Sequence, residues 1–216
     1  MATHIPERVR NRPVTDLIEP GSPIKPFTVA TALDLGLVEP DTLIETSPGR
    51  MQIQKHVISD IRNYGEIDVS TVIAKSSNVG VTKIEMMMEP SALRDRLALL
   101  GLGRPVGTGF PGEEEGFLPS YTTWPDLDRA ALSYGYGVSV TTIQLAQAYS
   151  VFANRGILQP LTLLAEGVTP QAVRIFKEDT VQKVLPMLQA VTEEGGTARR
   201  AQLPMHHVGG KTGTTM

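Results

Sequence analysis

Apolar residues recur at helical spacing in several stretches of the chain. Phe27, Ala30, Leu33 and Leu37 fall on one face, and Gly36 follows as a stop. Pro23 suits a first helical turn, where its missing N–H is not needed. A helix over roughly 22–35 is predicted. In residues 141–156, Thr141 and Gln144 have capping-box spacing. Leu145, Ala148, Tyr149 and Phe152 share a face there, and Gly156 is the expected end. Val181, Val184, Leu185, Leu188 and Val191 predict a helix over 178–193, kinked by the interior Pro186. Shorter helices are predicted over 69–75, capped by Asp68 or Ser70, over 78–88, and over 91–100 ending at Gly101. Between 39 and 66 the pattern alternates only weakly, through Met51-Gln52-Ile53-Gln54 and His56-Val57-Ile58, which predicts short strands or loops. Residues 1–18, polar and carrying Pro6 and Pro13, read as an extended lead-in. Residues 19–205 read as a mainly helical body. Residues 206–216 read as a strand carrying Lys211-Thr212-Gly213.

Composition narrows the class. The chain has 216 residues, 41% hydrophobic and 20% charged, enough for one good-sized core or two small ones. A net charge of −3 without a basic stripe disfavours a nucleic-acid partner. Cysteine is absent, which excludes disulfides and thiolate metal sites. No apolar run is long enough to span a membrane, and no signal peptide opens the sequence. The glycine-rich stretch 101–116 has neither a strand before it nor a Gly-Lys-Ser/Thr after it, so it reads as a surface loop. Glu113–Glu115 read as solvated charge. His206 and His207, adjacent on the expected strand, would point to opposite faces and so not share a metal site. Met86–Met88 read as core and interface filler. Tyr134 and Tyr136 read as packing residues, with a cleft position open to one of them.

Three short pieces carry candidate chemistry. Ser22 and Lys25, three apart, would be neighbours on a helix. A lysine can activate a serine nucleophile if burial or a cationic neighbour lowers its pKa. A capping serine with a solvent lysine is the plainer reading of that pair. Ser76-Ser77-Asn78 between two helices is chemistry or a turn. Lys211-Thr212-Gly213-Thr214 could bind a carboxylate, its glycine admitting close backbone approach.

Taken in order, S-x-x-K, S-x-N and K-T-G resemble the active-site set of the penicillin-recognising serine acyltransferases. The surrounding sequence adds to this. RNRPVTDLIEPGSPIKPFTVATAL, DIRNYG…IAKSSNVGVTKI, LSYGYGVSVTTIQLAQAYSVFANRG and VGGKTGTT resemble class B penicillin-binding proteins, most closely the septal, cell-division peptidoglycan D,D-transpeptidases. The resemblance covers nearly all of residues 9–215. It implies the penicillin-binding protein/β-lactamase-like α+β fold, here mostly the helical subdomain with an incomplete sheet. It implies Ser22 as acylated nucleophile, Lys25 as its base, and Ser76 as proton relay to the leaving amine. Asn78 would hold the substrate amide, and Lys211 would supply positive potential and a hydrogen bond toward Ser76. Thr212, Gly213 and Thr214 would bind the substrate and its terminal carboxylate. The Ser22 and Thr214 N–H groups would form the oxyanion hole. No metal or cofactor is implied. Implied partners are D-Ala-D-Ala stem peptides, β-lactams and, through the parent protein, other division proteins. The implied place is the periplasmic face of the bacterial inner membrane, with the anchor outside this sequence.

The resemblance has departures. Pro23 stands where this family more often has threonine. The family places two sheet strands before S-x-x-K, and two strands plus a helix after K-T-G. This sequence starts about twenty residues before Ser22 and stops at Met216. Activity is therefore expected of the parent, and of this piece it is left open. Two alternatives stand beside the transpeptidase. One is a hydrolase of the same fold, a D,D-carboxypeptidase or β-lactamase, for which Glu113–Glu115 are the only mid-chain candidates to activate a deacylating water. The other is a non-catalytic β-lactam sensor or division scaffold.

Overall fold

The architecture comes from a computed structural model, which describes residues 10–120, 123–162 and 171–214. The first short elements are α1 (Arg12–Thr15) and β1 (Leu17–Ile18). The lead-in is thus not wholly extended: Pro13 takes the first turn of α1, where a proline costs nothing. Residues 1–9 of that expectation lie outside the described residues. A 3-10 turn, Ser22–Ile24, runs directly into α2 (Lys25–Asp34).

Helix α2 is the centre of the molecule. Every residue from Lys25 to Leu33 is buried, not one face alone. The periodicity of its larger apolar residues predicts an amphipathic helix because Thr28 and Thr31 look polar in sequence. Both hydroxyls are satisfied in the interior: Thr28 donates to the Ser133 carbonyl (2.8 Å) and Thr31 to that of Phe27 (2.7 Å). The helix ends at Asp34, and Gly36 adopts φ 72° while Gly36 and Leu37 N–H donate back to Leu33 and Ala32. Leu37 lies beyond that cap and is exposed, so it does not continue the apolar face.

The 39–66 region forms two hairpin-like pairs. β2 (Leu43–Glu45) pairs with β5 (Glu66–Asp68), and β3 (Arg50–Ile53) with β4 (His56–Ser59), both antiparallel. Two helices follow, α3 (Val69–Lys75) and α4 (Asn78–Glu85), then α5 (Ala92–Leu99). Asp68 caps α3 by accepting from Thr71 N–H (2.6 Å). Helix α4 stops three residues earlier than predicted; Met88 is buried just past it and Met87 is exposed.

Helix α6 (Asp126–Ser133) was not predicted. Its buried side carries Arg129, Ala130, Leu132 and Ser133, a polar-rich face that hydrophobic periodicity does not flag. After β6 (Val140–Thr141), which pairs with β1, comes α7 (Thr142–Ala153) with the predicted Thr141/Gln144 capping box. β7 (Ile157–Leu158) and β8 (Val173–Arg174) pair, and α8 (Glu178–Thr192) runs through Pro186. On α8, Val181, Val184, Met187, Leu188 and Val191 are buried, whereas Leu185 points outward.

The core joins α2 to all the other long helices. Phe27 meets Tyr149 edge-on at 5.0 Å and stacks on Phe152 at 5.2 Å; Phe152 stacks on Phe176 at 6.1 Å. Asp34 ties three elements together. It accepts from the N–H of Lys177, the N-cap of α8, and from the hydroxyl of Thr180 in its first turn, and pairs with Arg96 of α5 at 3.1 Å.

Residues 207–214 do not form the strand predicted for 206–216. A ladder needs a neighbouring strand, and among the described residues this segment lies instead against α8. Gly210 N–H donates to the Leu188 carbonyl (3.0 Å), and the Thr192 hydroxyl to that of Val208 (2.6 Å). His206 and His207 are both exposed and line one shallow surface depression, so the opposite-face argument fails with the strand. Among the described residues no group of three or more His, Asp or Glu is placed to hold a metal, and no helix is long and apolar enough to cross a membrane.

Candidate active site

The 3-10 turn presents Ser22 because the chain before it is held tightly. Gly21 N–H donates to the Gly135 carbonyl (3.1 Å). Gly135 has φ 87°, and a side chain there would place its first carbon 2.0 Å from the Gly21 carbonyl oxygen. Only glycine fits this crossing. The Tyr149 hydroxyl, half-buried beside the core and raised in pKa by desolvation, donates to the Pro23 carbonyl (2.8 Å). Pro23 fits the turn, and its ring lies against Gly213: a methyl on that glycine would come within 3.1 Å of it.

Ser76 is placed by backbone strain. It ends α3 in the left-handed region (φ 59°, ψ 39°), unusual for a residue with a side chain. Ser77 then caps α4, its hydroxyl accepting from Gly80 N–H (2.8 Å). The turn reading of Ser76-Ser77-Asn78 is thus met. The kink points Ser76 Oγ toward Ser22, to whose Oγ it donates at 3.1 Å.

Two lysines converge on the same hydroxyl. Lys25 Nζ donates to Ser76 Oγ (3.1 Å), the Ser76 carbonyl (2.6 Å) and Asn78 Oδ1 (2.7 Å). Lys211 Nζ donates to Ser76 Oγ (2.8 Å) and reaches the Thr212 carbonyl and hydroxyl at 3.2 and 3.3 Å. The expected direct touch of Lys25 on Ser22 is replaced by one through Ser76. Its three donors are already taken by Ser76 and Asn78, and Ser22 stands one 3-10 turn away from the start of α2.

Electrostatics follow from burial. Lys25 is fully buried, and desolvation lowers its pKa to about 7, with the Lys211 charge adding to the drop and the Asp60 carboxylate opposing it. Burial lowers Lys211 to about 8. An amine that is partly neutral near pH 7 can accept a proton; a lysine in water cannot. The hydroxyl hydrogens of Ser22 and Ser76 can rotate, so a proton can pass from one to the other and on to an amine.

The cleft around this cluster has a volume of about 320 Å³. Ser22, Ser76, Asn78, Thr212 and Thr214 line it together with Asp60, Ile61, Tyr136 and Thr197. Gly213 borders it beside Pro23. Every predicted site residue is therefore gathered at one place. Among the described residues neither Ser22 nor Thr214 spends its N–H on an internal hydrogen bond. Of the two tyrosines, Tyr136 takes the cleft position and stacks edge-on against Tyr134 at 5.5 Å. Sequence reasoning missed Asp60, Ser59 and Tyr149, whose partners lie from 17 to 126 residues away; no local signal marks them.

The glutamates are placed elsewhere. Glu113 is not solvated charge: its carboxylate accepts from Gly107 N–H, Thr108 N–H and the Thr108 hydroxyl, holding the 101–116 loop closed. Glu114 and Glu115 are exposed. None of the three lines the cleft.

Hydroxyl, amine and amide groups on this fold define a class, and the chain belongs to it: it is a member of the penicillin-binding protein transpeptidase domain family, whose model matches residues 2–216. Among relatives, it is 41% identical over 208 residues to the probable peptidoglycan D,D-transpeptidase PenA of Neisseria flavescens, covering 96% of this chain and 52% of that protein. It is 39% identical over 208 residues to the peptidoglycan D,D-transpeptidase FtsI of Escherichia coli K12, covering 96% of this chain and 35% of that protein. Among solved structures, the apo transpeptidase (TP) domain of Burkholderia pseudomallei penicillin-binding protein 3 superposes with a TM-score of 0.92 at 42% identity, over 95% of this chain and 63% of that one. The chain thus spans about a third to a half of the curated relatives it matches.

Proposed function

We propose that this chain carries the acyl-transfer centre of a peptidoglycan D,D-transpeptidase that cross-links cell wall at division and is acylated by β-lactams. The observation that carries the reading is the hydrogen-bonded run from Ser22 Oγ to Ser76 Oγ to the Lys25 and Lys211 amines, built from three segments remote in sequence.

In the first step, Ser22 Oγ bonds to the carbonyl carbon of the penultimate D-Ala. Its proton passes through Ser76 Oγ to neutral Lys25. The terminal peptide C–N bond breaks, and the departing D-Ala amine takes the proton back through Ser76. In the second step, an amine of a neighbouring stem peptide attacks the ester. It gives up a proton to the same relay, and Ser22 Oγ leaves reprotonated. The Ser22 and Thr214 N–H groups face the carbonyl oxygen in both steps. Asn78 holds the substrate amide. Lys211, Thr212 and Thr214 hold its carboxylate, and Gly213 leaves room for its backbone. The parent acts on the periplasmic face of the inner membrane, among other division proteins.

The test supplies a stem peptide ending in D-Ala-D-Ala and an amine acceptor. Ser22-dependent release of D-Ala with formation of the cross-linked product is expected. Release of D-Ala with only the shortened, hydrolysed peptide would favour the carboxypeptidase. A folded chain that yields neither would overturn the reading.

A further inference from the structure

The end of β4 grips Asn78 from two sides. The Asp60 carboxylate accepts from the backbone N–H of Asn78 (2.5 Å) and of Val79 (3.1 Å) through Oδ1, and from the Ser77 hydroxyl (2.6 Å) through Oδ2. These amides open α4 and have no partner within the helix. One residue earlier, the Ser59 carbonyl accepts from Asn78 Nδ2 (3.0 Å). That leaves Asn78 Oδ1 aimed at Lys25. Asp60 is itself fixed by its hairpin, its N–H donating to the Gly49 carbonyl (2.9 Å). Gly49 sits at φ 82° with Arg62 and Asn63 packed against it. The side-chain amide in the cleft is thus oriented from the 49–63 hairpin, not from the helix that carries it.

We propose that Asp60 is the positioning residue for Asn78, and so sets how well the cleft reads the amide of a bound substrate. The proposal rests on the transpeptidase reading for its functional half and on geometry for the rest. An anion accepting three hydrogen bonds at a helix start is held strongly, because charge-assisted bonds are about twice as strong as neutral ones. Without it, the first turn of α4 frays and Asn78 loses its fixed direction.

Two measurements test this on the full chain. In the free protein, Asp60→Ala should move the Asn78 side-chain amide NMR signals and speed their exchange with water. Unmoved signals would overturn the proposal whatever the chain catalyses. In acylation, Asp60→Ala should slow benzylpenicillin, which carries a side-chain amide, by roughly tenfold or more. It should slow 6-aminopenicillanic acid, which lacks that amide, by a clearly smaller factor, since only the effect passed on through Lys25 remains. Asp60→Asn, which keeps an oxygen for the helix amides, should recover part of the loss. In an Asn78→Ala background, Asp60→Ala should add nothing. Equal slowing of both β-lactams, or full additivity with Asn78→Ala, would mean that Asp60 acts through Lys25 or the fold and not through the substrate amide, and would overturn the proposal. A wild-type chain acylated by neither compound would refute the transpeptidase reading and leave the NMR result to decide this one.

Discussion

Replacing Lys211 with methionine removes a charge while keeping most of the bulk that buries Lys25. Both ammonium groups hydrogen-bond Ser76 Oγ, so their nitrogens lie within about 6 Å of each other. At an effective dielectric near 20, two like charges at that separation repel by ~3 kcal/mol, or about two pKa units. In the wild type this repulsion adds to desolvation to bring Lys25 to about 7. The sign follows directly. In the proposed mechanism acylation needs neutral Lys25, so its rate should rise as pH climbs through that value. It should fall again as Lys211, lowered to about 8, loses the charge proposed to face the substrate carboxylate. Lys211→Met should therefore shift the rising limb upward, toward about 9, and erase the falling one. The assay is stopped-flow acylation by a fluorescent penicillin at saturating concentration from pH 5.5 to 10. A rising limb that stays near 7, or moves down, would refute the claim that the two amines share one electrostatic site.

Two further changes probe the scaffold. Glu85 is buried against Arg129 at 3.2 Å with one carboxylate oxygen unpartnered, and burial raises its pKa to about 7. The folded state then holds a proton that the unfolded chain releases near 4.5, so this contribution to stability is full below 4.5 and is lost as pH rises through 7. Glu85→Gln should remove a drop of about 3 kcal/mol in unfolding free energy across that window, read by denaturant titration at several pH values; parallel curves would contradict it. Gly135→Ala forces a methyl into the Gly21 carbonyl at a left-handed φ, and should cost ~2 kcal/mol or more of stability and most of the penicillin acylation. Normal acylation with unchanged Tm would show that the crossing is not what aims Ser22.

The legible and illegible parts of this molecule divide along physical lines. Helices α3 and α7 announce themselves through their caps, as Asp68, Thr141 and Gln144 illustrate, and α8 through the period of its apolar residues. Helix α6 does not, because it buries Arg129 and Ser133, whose hydrogen bonds replace the apolar signal. The Lys211 segment reads as a strand from its residues, yet strand is a property of pairs, and among the described residues no strand lies alongside it to pair with. The site residues were visible because three short motifs stand in one order. The route from Ser22 to Lys25 through Ser76 was not, since it depends on a left-handed turn at a serine, a conformation sequence does not favour. Asp60 lay in a quoted stretch without a role, because its partners are 17 to 19 residues on.

The most direct measurement is peptide mapping by mass spectrometry after the chain is incubated with benzylpenicillin. The account predicts one covalent adduct, on the peptide holding Ser22, and none in a Ser22→Ala variant of equal thermal stability. An adduct at another residue, or an unmodified Ser22 in a demonstrably folded sample, would contradict it.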